Sequence, residues 1–191
     1  MATEVALGCY MEHALKRKIS NFAKTYNHAF LNGRLHHAAR VKKYAIMLAK
    51  KENADRDIIE IAALLHNICC VIKRGHPKHS AAESRRFLNS IGFPEEDIER
   101  VYECIMRHRA IDSHPESIEA KIIAAADSIA FLENRDVQMF IFKVTDRSYK
   151  SMVERISRIF GKIHLDSARK MAKPLFDMSM GYWKKNEFFD K

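Results

Sequence analysis

The chain has 191 residues, 47% of them hydrophobic, and 33 Lys and Arg against 24 Asp and Glu give it a formal net charge of +9. That length suits a single domain over 1–191 with a sizeable core, and the scarcity of glycine and proline, 6 and 4, makes an all-α fold the expectation. No apolar run reaches the roughly 18 residues of a membrane span, and Glu4 and Glu12 interrupt the order of a signal peptide, so a cytoplasmic protein with no membrane partner is expected.

Residues 2–31 read as a helical arm with Val5, Leu7, Leu15, Ile19 and Phe22 as its apolar positions, stopped at Asn32-Gly33. A clearer helix runs over about 35–51, where Ala38, Val41, Ala45 and Leu48 share one face. Asp55 is a fair N-cap for the next helix, from Ile58 to about Ile68. Gly75 and Pro77 mark a loop over 70–78. Ser80 and Glu83 then fit a capping box that opens a helix through Leu88. Gly92 ends that helix, and Pro94 sits in the first turn of another over about 95–108. A polar loop with Asp112 and Pro115 leads to a helix over about 116–133. The stretch "VQMFIFKV" fits either a short strand or a buried helical turn. Two more helices are predicted over about 145–160 and 164–185, with Gly161 between them and Pro174 kinking the second.

The positive charges are spread along the chain and read as solvated helix faces. No concentrated basic stripe or aromatic interleaving points to nucleic acid. Cys9, Cys69, Cys70 and Cys104 show no CxxC spacing and read as reduced thiols. Trp183, Phe188 and Phe189, near the C-terminus, either serve a homo-oligomer or pack back on the core.

Polar residues interrupt the apolar stripes on successive helices. Ile59, Ala62, Ala63 and His66 are spaced i, i+3, i+4, i+7, and Val101, Cys104, Ile105 and His108 repeat the pattern. Asp127 stands among Ile123, Ala126 and Ala130. His37 shares a face with Val41, Tyr44 and Leu48. A lone histidine on such a face is usually a hydrogen-bonded core residue. A buried carboxylate is different, because it costs several kcal/mol unless paired or bound to a cation. Asp127 therefore pairs with a buried base or belongs to a converging site. Imidazole and carboxylate donors suit Mn, Fe, Co, Ni or Zn better than Mg.

The run "HAARVKKYAIMLAKKENADRDIIEIAALLHN" resembles the opening of the HD domain, a family of metal-dependent phosphohydrolases. His37 with Arg40 and Val41 resembles the family's first histidine in H-x-x-R-V, and that context selects His37 over His36. His66 matches the histidine of A-A-L-L-H-D, and Asp127 in "AAADSIAFL" matches the distal aspartate. "HSAAES" with "FLNSIGFP" and "CIMRHRA" resemble the intervening segments. The resemblance covers about 35–133, with flanking helices in 1–34 and 134–191. It implies a compact all-α bundle and one divalent transition metal held by His37, His66, Asn67 and Asp127.

One residue departs from the pattern, since the doublet reads His66-Asn67. Asn67 can offer an amide oxygen but no charge, so it holds a metal less tightly and is a poor bridge between two ions. The resemblance implies hydrolysis of a phosphate ester or anhydride, most plausibly a nucleotide, by a metal-activated water. The alternative is a catalytically degenerate HD protein that binds a nucleotide or partner without hydrolysis, the metal weakly bound or absent. Lys73, Arg74 and Lys78 are the candidate phosphate partners, with Arg107 and Arg109 behind them. His79 and His108 are candidates to orient substrate or protonate a leaving oxygen. His76 and His114 read as loop residues.

Overall fold

The helix over Ile118–Glu133 is buried on most of its surface, and it forms the centre of the molecule. The computed structural model describes residues 13–25, 33–70, 75–109, 114–145 and 148–186, and among these every regular element is a helix. In chain order they are α1 (13–25), α2 (Gly33–Glu52), α3 (Arg56–Leu65), α4 (His76–Ser90), α5 (Glu95–Arg107), α6 (Ile118–Glu133), α7 (Arg135–Val144), α8 (Tyr149–Gly161) and α9 (Asp166–Asn186). The all-α expectation holds. No helix among the described residues is long and apolar enough to cross a membrane.

Ser117 starts α6 by accepting from the Ala120 amide at 3.2 Å. Its alanines let α2, α3, α5 and α9 approach closely. Asp55 caps α3 as predicted, accepting from the amides of Asp57 and Ile58 at 3.0 and 3.3 Å. One guanidinium gathers the beginnings of three helices. Arg100 pairs with Asp55 before α3 (3.0 Å), Asp97 in the first turn of α5 (3.1 Å) and Glu119 in the first turn of α6 (3.1 Å). The three helices pack on one another, so with their starts together α3 and α5 run side by side and finish together. That is why His66 and His108, the residues that close them, are neighbours.

The far end of α6 is tied down by a buried polar network. Trp183 on α9 is fully buried, and its Nε1 donates to Gln138 Oε1 on α7 at 2.8 Å. Gln138 Nε2 donates to the carbonyls of Phe131 and Leu132, at 3.0 and 3.1 Å. The bonds satisfy the last carbonyls of α6, which have no partner inside the helix.

Several local expectations are corrected. The capping box at Ser80 does not form, because α4 starts earlier, at His76, with Gly75 at φ +72° before it and Pro77 in its first turn. Ser80 lies inside the helix, and its hydroxyl accepts from the Cys69 amide at 3.1 Å. His76 is thus a helical residue, not a loop residue. "VQMFIFKV" is helical, within α7, where Asn134 caps it by accepting from the Val137 amide. The predicted helix to Ile68 ends at Leu65 and continues as turns to Cys70. Gly33 opens α2 instead of ending the preceding arm. Of that arm, 13–25 is helical and the remainder lies outside the described residues. Pro174 lies within α9, whose helical span runs on either side of it. Trp183 packs inward, while Phe188, Phe189 and Cys9 lie outside the described residues.

Candidate metal and phosphate site

Helices α2, α3 and α6 deliver His37, His66 and Asp127 to one point. A ligand atom from each lies within 4.8 Å of the other two. His37 Nε2 is 3.0 Å from Asp127 Oδ1, and His66 Nε2 is 3.7 Å from the same oxygen. His66 is wholly buried, whereas the His37 and Asp127 side chains are 19% and 25% exposed, so the cluster opens to solvent on one side. His36 is exposed on α2, away from it.

The histidines that close α3 and α5 are fixed by the same device. His66 Nδ1 donates to the Ala63 carbonyl at 2.8 Å, and His108 Nδ1 donates to the Ile105 carbonyl at 2.6 Å. Each ring therefore carries its proton on Nδ1 and leaves an Nε2 lone pair, the arrangement usual for metal-binding histidines. Burial pushes both imidazoles down, His66 to about 3 with help from the neighbouring His108, so both are neutral. Burial alone would raise the Asp127 carboxyl. The hydrogen bond from His37 outweighs that and holds it well below the usual carboxylate range. The carboxylate anion of Asp127 thus lies beside the neutral imidazole of His66.

Asn67 takes up one of the lone pairs. Its Nδ2 is 2.7 Å from His66 Nε2, and with the His66 proton on Nδ1 the amide must be the donor. Its Oδ1 is buried with no hydrogen-bond partner. The residues fit a divalent cation: two imidazoles, a carboxylate and an orphaned amide oxygen meet in one place. Binding through His66 Nε2 requires Asn67 Nδ2 to release that lone pair.

A second histidine pair borders the cluster. The His108 ring is 5.2 Å from that of His66, and His76 Nε2 is 3.3 Å from His108 Nε2. The sequence reading missed His76, whose signal was its place one residue after Gly75 and one before Pro77. It also missed Lys162, which follows α8 and donates to the Arg109 carbonyl at 3.3 Å. Among the phosphate candidates, Lys78 is exposed on α4, and Lys73 and Arg74 lie outside the described residues. His79 is exposed on α4 and is not part of the triad. Arg107 is held by Glu103, Glu116 and the His114 carbonyl.

A family model for the HD domain matches residues 34–132, just over half of the chain. The chain belongs to the HD-domain family. The matched span starts ahead of His37 and ends beyond Asp127, leaving α7, α8 and α9 outside it. Among individual relatives, the uncharacterized protein YpgQ of Bacillus subtilis strain 168 is 27% identical over 153 residues, 72% of this chain and 75% of that protein. The crystal structure of B. subtilis YpgQ in complex with ADP superposes with a TM-score of 0.73 at 23% identity, covering 93% of this chain and 95% of that one. An HD-superfamily hydrolase from Bacillus thuringiensis gives 0.71 at 20% identity, over 95% of this chain and 100% of that one. A predicted HD superfamily hydrolase from an uncultured Thermotogales bacterium gives 0.64 at 22%, over 88% and 89%. At these identities the solved structures establish the shared fold, flanking helices included.

Proposed function

We propose that the chain is a metal-dependent phosphohydrolase acting on a nucleotide, or on a related phosphate ester or anhydride. The observation that carries this reading is the meeting of His37, His66 and Asp127 within 4.8 Å. When bound, a divalent transition metal (Mn, Fe, Co, Ni or Zn by the donor set) supplies Lewis-acid polarisation and a water of lowered pKa. His66 offers a neutral imidazole nitrogen, His37 offers its Nε2 once the hydrogen bond it donates to Asp127 is given up, Asp127 offers the negative charge, and Asn67 offers its amide oxygen. The Ala63 carbonyl keeps His66 in the tautomer this requires. The proton between His76 and His108 is then available to a leaving oxygen. The ADP held by the related YpgQ supports a nucleotide as the substrate class.

A second reading is a degenerate site that binds a nucleotide without hydrolysing it. The hydrogen bond from Asn67 Nδ2 to His66 Nε2 favours it, because it fills a lone pair that a metal needs. Phosphate and pyrophosphate release from nucleoside triphosphates in Mn²⁺ separates the two readings. The enzyme reading predicts turnover by the chain as it stands and none by Asp127→Ala. Turnover only after Asn67→Asp establishes the degenerate reading, and turnover by neither protein removes the enzymatic one.

A further inference from the structure

Helix α8 lies outside the span matched by the HD family model, yet it brings positive charge to the rim of the cluster. Arg155, Arg158 and Lys162 are spaced three and four apart and so lie along one side of α8 and its C-cap. Two contacts fix where that side faces. Arg155 Cζ lies 5.2 Å from the centre of the Phe131 ring, and Phe131 is one turn beyond Asp127 on α6. Lys162 Nζ donates to the carbonyl of Arg109, the residue next to His108.

The charges around Lys162 are nearly all of one sign. Arg109, Arg155 and Arg158 act on it electrostatically, and Asp127 is the carboxylate that opposes them. Among the described residues Lys162 has no ion pair, and its hydrogen-bond partner is a neutral carbonyl. Burial and the three guanidinium groups together push its ammonium down to about 8. An ordinary surface lysine would extend into water or meet a carboxylate. Here a half-buried ammonium is held among other cations, beside a site whose own charge is a lone aspartate. The concentration of positive charge is relieved by an anion carrying several charges.

We propose that Lys162 and Arg158, from α8 and its C-cap, form with Arg109 of the HD core an anion subsite for a phosphate chain. The ligand class is a polyphosphate or pyrophosphate group, whose charge matches a cluster of separate cations better than a monoanion does. The subsite rests on the phosphohydrolase reading for its place in catalysis, but its ligand chemistry can be measured without turnover.

The test is calorimetric titration of the full chain with inorganic pyrophosphate, in EDTA and again in Mn²⁺. Lys162→Gln is expected to weaken binding on the order of tenfold in both conditions, and Lys162→Arg to stay close to the wild type. Lys162→Met keeps the apolar stem and gives the same loss if the glutamine variant folds poorly. Lys143→Gln, an exposed charge on α7, controls for net charge and is expected to change little. The proposal is overturned if the wild type does not bind pyrophosphate, if Lys162→Gln and Lys162→Met bind it as the wild type does, or if Lys143→Gln loses as much as they do. A wild type that binds pyrophosphate through Lys162 but hydrolyses no nucleotide leaves the subsite standing and removes the phosphohydrolase reading.

Discussion

Asn67 donates from Nδ2 to His66 Nε2 across 2.7 Å, and its Oδ1 is left buried without a partner. The amide thus blocks one metal-binding lone pair while holding an unused oxygen beside it. Asn67→Asp removes the competing donor and adds a charge to the ligand set. The expected result is Mn²⁺ binding tighter by about tenfold or more, which is ~1.4 kcal/mol. Titration calorimetry measures it, and equal affinity in the two proteins would mean that residue 67 does not face the ion.

The buried histidines set an acid limit on stability. The ordinary value of 6.5 applies to both when unfolded, and in the fold both lie below it, His66 at about 3. Below pH 6.5 the unfolded chain binds protons that the native chain refuses, so stability rises with pH in that window. The contribution is present above about pH 6.5 and is lost as pH falls toward the folded values. Each such histidine contributes a slope approaching about 1.4 kcal/mol per pH unit. In EDTA, the urea midpoint is expected to drop between pH 7 and pH 5, and His108→Phe to flatten the drop. An unchanged pH slope in that variant contradicts the assignment.

Much of the HD core was legible because its signals are local. His66 continues the Ile59, Ala62, Ala63 stripe, and a carboxylate at Asp127 in the middle of the apolar stripe of Ile123, Ala126 and Ala130 is hard to place except in a site. The pairs that cross the fold were not legible. His76 reads as a loop residue until Gly75 and Pro77 are seen to start α4 there, and a formal capping box at Ser80 and Glu83 competes with that start. Lys162 is 35 positions beyond Asp127 in the sequence, and only the packing of α8 on α6 and the hydrogen bond from Lys162 to the Arg109 carbonyl bring it to the site. The strand-or-helix choice at 137–144 was decided by the Asn134 cap and by Gln138 pointing inward, features that apolar periodicity does not encode.

Trp183→Phe tests the closure of α9 on α7. The change removes the Nε1 donor and leaves the buried Gln138 Oε1 unpaired, besides shrinking a fully buried ring. The expected loss is about 2 kcal/mol, read as a lower urea midpoint with an unchanged slope. A loss of under about 0.5 kcal/mol, as at an ordinary surface position, would place Trp183 outside the core.

Gly75 precedes α4 at φ +72°, and a methyl group there would meet nothing closer than His79 Cδ2 at 3.9 Å. The penalty for Gly75→Ala is therefore conformational, about 1–2 kcal/mol. Gly75→Asn is expected to lose less, since asparagine tolerates the left-handed region. Equal losses for both in thermal unfolding would point to crowding instead of backbone strain.

The central claim is that His37, His66 and Asp127 hold one metal ion, and anomalous diffraction from crystals soaked in Mn²⁺ or Zn²⁺ tests it most directly. The expected result is a single peak in contact with His37 Nε2, His66 Nε2 and an Asp127 carboxylate oxygen, at about 2.0–2.2 Å for Zn²⁺. No peak there at millimolar metal, or a peak held by other side chains, would contradict it.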